Sequence, residues 1–332
     1  VIAVTRRKYG PPKVLQLSEI PEPLPGPGQL RLQVAAASVN PYDLHMLRGD
    51  PYLMRVMMGL SSPKVSGLGA DVAGTVGAVG EGVEGFDIGD EVFGWGDGTF
   101  AASALANTKS MVHKPQALSF EAAACLPCAG VTALQALRDN AGLRAGQRVL
   151  INGAAGGVGT MAVQIAKSLG ASVTGVCGSS SVELVRSLGA DSVIDYSMQD
   201  FARGLEPFDV VLDLVGNRTL RSLRRAAGHD GVVVVATGPS GKWIGPLRLI
   251  AEAKVKGRFV SQRLETLMAN VISTDLDYLA QLCLSGALTP IVERTFPLAE
   301  TATAMSLLET GHVHGKVVID VATSTLETGA AY

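Results

Sequence analysis

Residues 149–159, Val-Leu-Ile-Asn-Gly-Ala-Ala-Gly-Gly-Val-Gly, constrain the fold more than any other stretch of the chain. The short apolar run 149–151 reads as a buried parallel strand. The chain turns at Gly153 and opens into a predicted helix over 160–169, with Met161, Ile165 and Leu169 on one face. Gly153, Gly156 and Gly159 stand three residues apart. The first allows a tight turn, the second lets backbone N–H groups approach a pyrophosphate, and the third lets helix and strand pack closely. A helix N-terminus then presents unpaired donors and a positive dipole end to the phosphates. The pattern predicts a dinucleotide site, with Gly153, Ala155, Gly156, Gly157 and Val158 lining the phosphates.

The flanking sequence agrees. Strands are predicted at 172–177 and 192–196, a helix at 182–188, and further apolar strands at 208–215 and 232–237. This is the strand–helix alternation of a doubly wound α/β sheet. Before it the texture changes. A proline-rich turn at 21–28 precedes short, glycine-punctuated strands at 30–36, 74–80 and 90–94, which predict a β-rich, barrel-like domain. After about Arg263 the chain is expected to leave the sheet. A helix (276–285), a strand (291–296), a helix (298–310) and a last strand (316–321) are too few for a domain of their own. They are expected to complete the first one. The expected division is therefore 1–120 completed by 265–332, with a nucleotide domain at 121–264.

Composition limits what else the chain can be. Its 332 residues, 47% hydrophobic, suit two domains. A net charge of −2 gives no footprint for nucleic acid. The longest apolar run, about 122–134, is too short for a transmembrane segment. The four cysteines form no disulfide framework, and no secretory leader is apparent, so a cytoplasmic setting is expected.

Several segments together resemble the medium-chain dehydrogenase/reductase superfamily, and within it the zinc-independent quinone oxidoreductase branch with its ζ-crystallin-like and reticulon-4-interacting-protein-like members. They are residues 37–43 (Ala-Ser-Val-Asn-Pro-Tyr-Asp), 68–74, 89–94, 129–133 and 154–159. The resemblance implies a GroES-like catalytic domain, a Rossmann domain, NADPH and a homodimer. Zinc-dependent relatives supply a Cys, a His-Glu pair and a later Cys. Here those positions hold Asn40, Ala70 followed by Asp71, and Cys128, which cannot hold zinc. Cys125 and Cys128, although spaced C-x-x-C, read as small buried residues. The resemblance places Asn40 near nicotinamide and substrate, and makes Asp43 a structural residue of that turn. His45 stands where several quinone reductases carry a Tyr. Tyr52 lies near the proton-donating Tyr of enoyl-thioester reductases. By the same resemblance Thr132, Val215, Gly216, Thr237, Gly238 and Lys316 contact the cofactor.

No acid follows the second strand, where an NAD enzyme commonly grips the ribose 2′-hydroxyl. Ser179, Ser180 and, by resemblance, Tyr196 stand there instead, so NADPH is expected. Lys167 and Arg186 are the nearest cations. The segment 242–263 is rich in cations and apolar residues and reads as a flap for anionic substrates, a membrane-surface contact or a solvated helix. With no metal to polarise a simple carbonyl, a quinone or an α,β-unsaturated carbonyl is the expected small-molecule electrophile. The alternatives are an enoyl-thioester reductase, another specialised biosynthetic enzyme on the same fold, and a non-catalytic NADPH-binding sensor.

Overall fold

The computed structural model describes residues 1–203, 206–236 and 261–322, the side chain of Met54 excepted. These residues form two compact units. One holds residues 1–131, 271–286 and the described residues from Pro290 on. The other holds the described residues of 132–270, with 287–289.

In the first unit, β1 (Ile2–Thr5) and β2 (Gln16–Glu19) form a small antiparallel ribbon. The main sheet contains β3 (Gln29–Val39), β4 (Asp71–Val79), β5 (Glu91–Asp97) and β6 (Ser103–His113). β3 pairs with β4 along one edge and with β6 along the first half of the other, so the four strands close on themselves. The barrel-like expectation is met, although β6 has no sharp signal in the sequence. Its run Ser-Ala-Leu-Ala-Asn-Thr-Lys-Ser-Met-Val-His alternates poorly and is half exposed in the middle. Apolar side chains such as Leu30, Leu32, Val72, Val76, Phe100 and Met111 fill the interior and are at most 4% exposed.

The second unit carries β7 (Arg148–Asn152), β8 (Ser172–Cys177), β9 (Ser192–Asp195), β10 (Phe208–Asp213), β11 (Ala227–Val235) and β12 (Arg263–Thr266). All pair in parallel, in the spatial order β12-β11-β10-β7-β8-β9. One expectation is overturned here. The chain does not leave the sheet at Arg263, because residues 263–266 pair with Val232–Val235 as its sixth strand. Arg-Leu-Glu-Thr is an edge strand too short and polar to show a burial pattern. The strand order reverses between β7 and β10, and ligands of such sheets bind beyond the strand ends at that reversal.

After the second unit the chain returns to the first. There it forms helix Ser273–Leu284, β13 (Val292–Pro297), helix Thr301–Glu309 and β14 (Lys316–Asp320). The helix expected over 298–310 begins instead with one tighter turn, Leu298–Glu300. β14 runs antiparallel to the second half of β3, taking the edge that β6 leaves free. No described helix is long and apolar enough to cross a membrane.

Candidate active site

The glycine loop joins β7 to a helix that begins at Gly157, three residues earlier than the apolar periodicity indicates. Gly153 has φ +90°, a conformation that Cβ-bearing residues avoid. Gly156 is the N-cap and supplies no side chain to cap the first turn. The leading N–H groups of this twelve-residue helix are therefore available to an anion. A Cβ on Gly156 would meet only the Gly153 carbonyl oxygen, at 3.6 Å, so the space above the loop is open. Ala155 is nearly buried, while Gly157 and Val158 are half buried on the first helical turn. At the end of β10, Asp213 is buried and its Oδ1 accepts from Asn152 Nδ2 (2.8 Å), Val215 N (3.2 Å) and Gly216 N (3.3 Å). This carboxylate fixes the turn that carries Val215 and Gly216. Thr132 sits half buried in helix Leu126–Leu134. Thr237, Gly238 and residues 242–260 of the basic segment lie outside the described residues.

The serine loop differs from its sequence reading in one respect. No acid follows β8, but parallel register sets Cys177 beside Asp195 at the end of β9. The Asp195 carboxylate accepts from Ser179 Oγ at 2.5 Å and from Ser197 Oγ at 2.7 Å. The hydrogen bond from Ser179, then those from Ser197, hold this exposed carboxyl below its usual range, so it is ionised at neutral pH. Its place was readable only through strand pairing. Ser180 is exposed, and the Tyr196 phenol lies against Gly178. Lys167 is engaged with Asp191 (2.9 Å) and Arg186 with Glu183 (2.6 Å).

The first unit holds a buried polar cluster built by register. β3 pairs Ser38 with Asp71 of β4 on one side and Val39 with Val317 of β14 on the other. Asn40 therefore emerges between Asp71 and Lys316. Lys316 Nζ donates to Asn40 Oδ1 and lies 3.4 Å from Asp71 Oδ2 and from the Val39 carbonyl oxygen. Asn40 Nδ2 donates to Asp71 Oδ2 (2.9 Å) and to the Ser38 carbonyl (3.2 Å). Asp71 also accepts from Ser38 Oγ (2.7 Å) and Cys128 N (2.9 Å). Asn40, Asp71 and Lys316 are each at most 3% exposed. Burial raises the Asp71 carboxyl pKa, and the Lys316 charge opposes that shift.

Asp43 holds the same turn through Asn40 N (2.8 Å), a capping box that starts helix Pro41–Arg48. Burial pushes its pKa up to about 7, with the nearby Asp71 charge adding to the shift. Both amide hydrogens of Asn40 go to Asp71 and Ser38, and Lys316 is its buried partner. His45 lies exposed on helix Pro41–Arg48, apart from this cluster. The Tyr52 ring packs under the Arg55 guanidinium, whose carbon is 4.4 Å from its centroid and 4.5 Å from that of Tyr9. Cys125 and Cys128 are not joined in a disulfide, and burial pushes the Cys125 thiol up to about 12.

The two architectures match known families. The alcohol dehydrogenase GroES-like domain matches residues 26–116, and the zinc-binding dehydrogenase domain matches residues 188–319. The chain is similar to the mouse (Mus musculus) mitochondrial NAD(P)H oxidoreductase RTN4IP1, at 36% identity over 95% of this chain and 87% of that protein. The chain belongs to the medium-chain dehydrogenase/reductase superfamily. Within the superfamily it falls in the quinone oxidoreductase branch. It is 31% identical to the chloroplast envelope quinone oxidoreductase homolog of Arabidopsis thaliana, over 92% of this chain and 94% of that one. It is similar in structure to the quinone oxidoreductase of Coxiella burnetii, with a TM-score of 0.86 and 34% identity over 96% of this chain and 99% of that chain.

Proposed function

We propose that this chain is a zinc-independent, NADPH-dependent reductase that delivers hydride to a quinone or an α,β-unsaturated carbonyl. The observation that carries this reading is the Lys316 ammonium locked between Asn40 and Asp71. Zinc-dependent relatives place metal ligands at this turn. Here the donor set is an engaged amide, the methyl of Ala70 and one thiol, beside a fixed positive charge. A second cation would be repelled, so these residues do not fit zinc. The matched zinc-binding dehydrogenase segment, 188–319, contains none of those three positions.

Bound reduced nicotinamide supplies the hydride. The chain's part is binding and positioning. The uncapped helix behind Gly156 holds the pyrophosphate, and the open face of that glycine lets the phosphates reach the backbone. Ser179, Ser180 and Tyr196 receive the adenosine end, with Asp195 favouring acceptance of NADH alongside NADPH. Asp213 keeps the 215–216 turn in place. The Lys316–Asp71 pair and Asp43 hold the 40–43 turn rigid from two sides. Tyr52 is the proposed proton donor to the reduced acceptor. We also propose a homodimer in a reducing compartment such as the cytoplasm. Cysteines not joined in disulfides support that setting, whereas the mouse relative is named mitochondrial and the Arabidopsis one a chloroplast envelope protein.

The test is oxidation of NADPH, with NADH in parallel, against quinones, enones and enoyl-thioesters, with and without EDTA. EDTA-resistant turnover of quinones or enones is expected. Turnover confined to enoyl-thioesters moves the assignment to that class. Tight cofactor binding with no acceptor turned over overturns the reductase reading in favour of a binding role.

A further inference from the structure

A helix on a protein's surface ordinarily turns its apolar side inward and its polar side to water. The stretch from Tyr52 to Val65 does the reverse. It makes one tight turn, Tyr52–Met54, and then a short helix, Arg55–Met58. Leu53, Val56 and Met57 stand at i, i+3 and i+4, so they share one side of these turns. They are exposed by 55%, 63% and 81%, and Leu60 and Val65, which follow, by 74% and 68%. The attachment to the rest of the protein is polar. Arg55 donates from Nε to the Gly49 carbonyl (2.9 Å) and from Nη2 to the Arg48 carbonyl (2.8 Å). Its guanidinium lies against both the Tyr9 and Tyr52 rings, and Tyr9 Oη donates to the Gly59 carbonyl at 2.9 Å. Hydrogen bonds and ring contacts fasten the lobe, and its large apolar side chains stay in water.

The charge along this stretch has one sign. Residues 51–70 hold two cations, Arg55 and Lys64, and no carboxylate. Residues 6–18 hold four cations, Arg6, Arg7, Lys8 and Lys13, and again no carboxylate. The two segments lie side by side. Thr5 bridges to Gly67, Arg6 N donates to the Ser66 carbonyl at 2.9 Å, and Tyr9 reaches Gly59. Arg7, Lys8, Lys13 and Lys64 are exposed. Apolar residues scattered singly over a surface are ordinary, but a run of them beside a set of exposed cations marks a binding face. Contact with a second copy through this face would set its cations against their own counterparts, which is repulsive. An anionic lipid surface meets both features at once. Its headgroups attract Lys and Arg, and its acyl boundary takes up apolar side chains.

We propose that the 52–65 lobe, with the basic turn 7–13 beside it, is a contact site for an anionic lipid surface. Leu53, Val56, Met57 and Leu60 enter the boundary between headgroups and acyl chains, while Arg7, Lys8, Lys13 and Lys64 meet the lipid phosphates. Each such cation strengthens partition about fivefold, an effect that salt screens. Arg55 and Tyr9 hold the stripe outward before any lipid arrives, so little ordering is lost on contact. So short a lobe gives a shallow, reversible association. The contact does not depend on the reductase reading.

The experiment is flotation of the full chain, at low salt, with vesicles of phosphatidylcholine alone or with about one-third phosphatidylglycerol. Wild type should float with the anionic vesicles, at least about fivefold less with the neutral ones, and be released by high salt. Lys8→Glu with Lys64→Glu should lower the partition about 25-fold or more, two cations at about fivefold each. Met57→Glu with Leu60→Glu should lower it about tenfold or more. Thermal melts should stay within about 2 °C of wild type, since all four side chains are exposed. If a glutamate variant melts early, Met57→Ser with Leu60→Ser makes the same comparison, with a loss of about fivefold expected. No flotation of wild type, equal flotation on both kinds of vesicle, or undiminished flotation of either double variant overturns the proposal. If wild type does not float and Met57→Glu with Leu60→Glu lowers its sedimentation coefficient, the stripe covers a second copy, and the lipid reading is again overturned.

Discussion

The two glycines of the phosphate loop should respond to the same substitution in opposite ways. A Cβ at Gly159 would lie 2.0 Å from the Gly153 carbonyl oxygen and 2.8 Å from Ala154 Cα and C. All three atoms are backbone, so no side chain can swing aside, and the helix must move off β7 by about 1 Å. Overpacking of this kind typically costs about 1–3 kcal/mol. At roughly 2–4 °C per kcal/mol for a unit of this size, Gly159→Ala should lower Tm by about 2–12 °C.

At Gly156 the same methyl meets only one oxygen, at 3.6 Å. The fold loses little more than the preference for Gly over Ala at an N-cap, about 1 kcal/mol or less. The methyl does, however, occupy the path of the pyrophosphate. Losing one hydrogen bond to a charged group is worth about 1.5–3 kcal/mol, so NADPH should bind about ten- to a hundredfold more weakly. Thermal melts of the apo-proteins and fluorescence titration with NADPH separate the two effects. If Gly156→Ala binds NADPH as wild type does, the loop is not the phosphate cradle. If Gly159→Ala melts as wild type does, the close approach of helix and strand is not sustained in solution.

Other outcomes follow from the buried cluster and the serine loop. Lys316→Met leaves the Asp71 carboxylate buried without its cation and should cost about 3–5 kcal/mol, read as a large fall in Tm; adding Asp71→Asn should restore much of it. The folded pKa of Asp43, about 7, lies above its ordinary 3.8, so the native state holds the extra proton between those values. Its contribution is therefore fully present below about pH 4 and lost as pH rises toward 7. Asp43→Asn should flatten the decline of unfolding free energy over that window by about a few kcal/mol, read from denaturant melts, and an unaltered profile would refute the assignment. Asp195→Asn removes an ionised, exposed group beside Ser179 and should raise the NADPH-to-NADH ratio of kcat/KM about threefold at low salt, less at high salt. Tyr52→Phe should lower kcat by about 10²-fold or more if its hydroxyl donates the proton, with KM for NADPH unchanged.

The nucleotide unit was legible because its signals are local. Continuous apolar strands, a glycine loop and helix periodicity each act within a dozen residues, and β8 occupies the residues expected of it. What escaped depends on pairing between distant segments. Asp195 becomes a neighbour of Ser179 only through the β8–β9 register. The edge strand Arg263–Thr266 buries too little to impose a pattern. Asn40, Asp43 and Lys316 were each singled out, Asp43 correctly for the turn that it caps. Their joint geometry was not visible, since 276 residues separate Asn40 from Lys316.

The shared edge of β3 has a consequence for how the protein is made. Its first half pairs with β6, which precedes the nucleotide unit, whereas its second half pairs with β14, which lies beyond that unit in the chain. As the chain leaves the ribosome, an open strand edge and an incomplete polar cluster must persist while the whole nucleotide unit is translated and folds. β14, which follows the nucleotide unit in the chain, brings Lys316 and closes both defects together. A chain cut before β14 would keep an unpaired strand edge and lack Lys316. The barrel's last edge and its buried polar cluster therefore depend on the same short strand, and neither is complete without it.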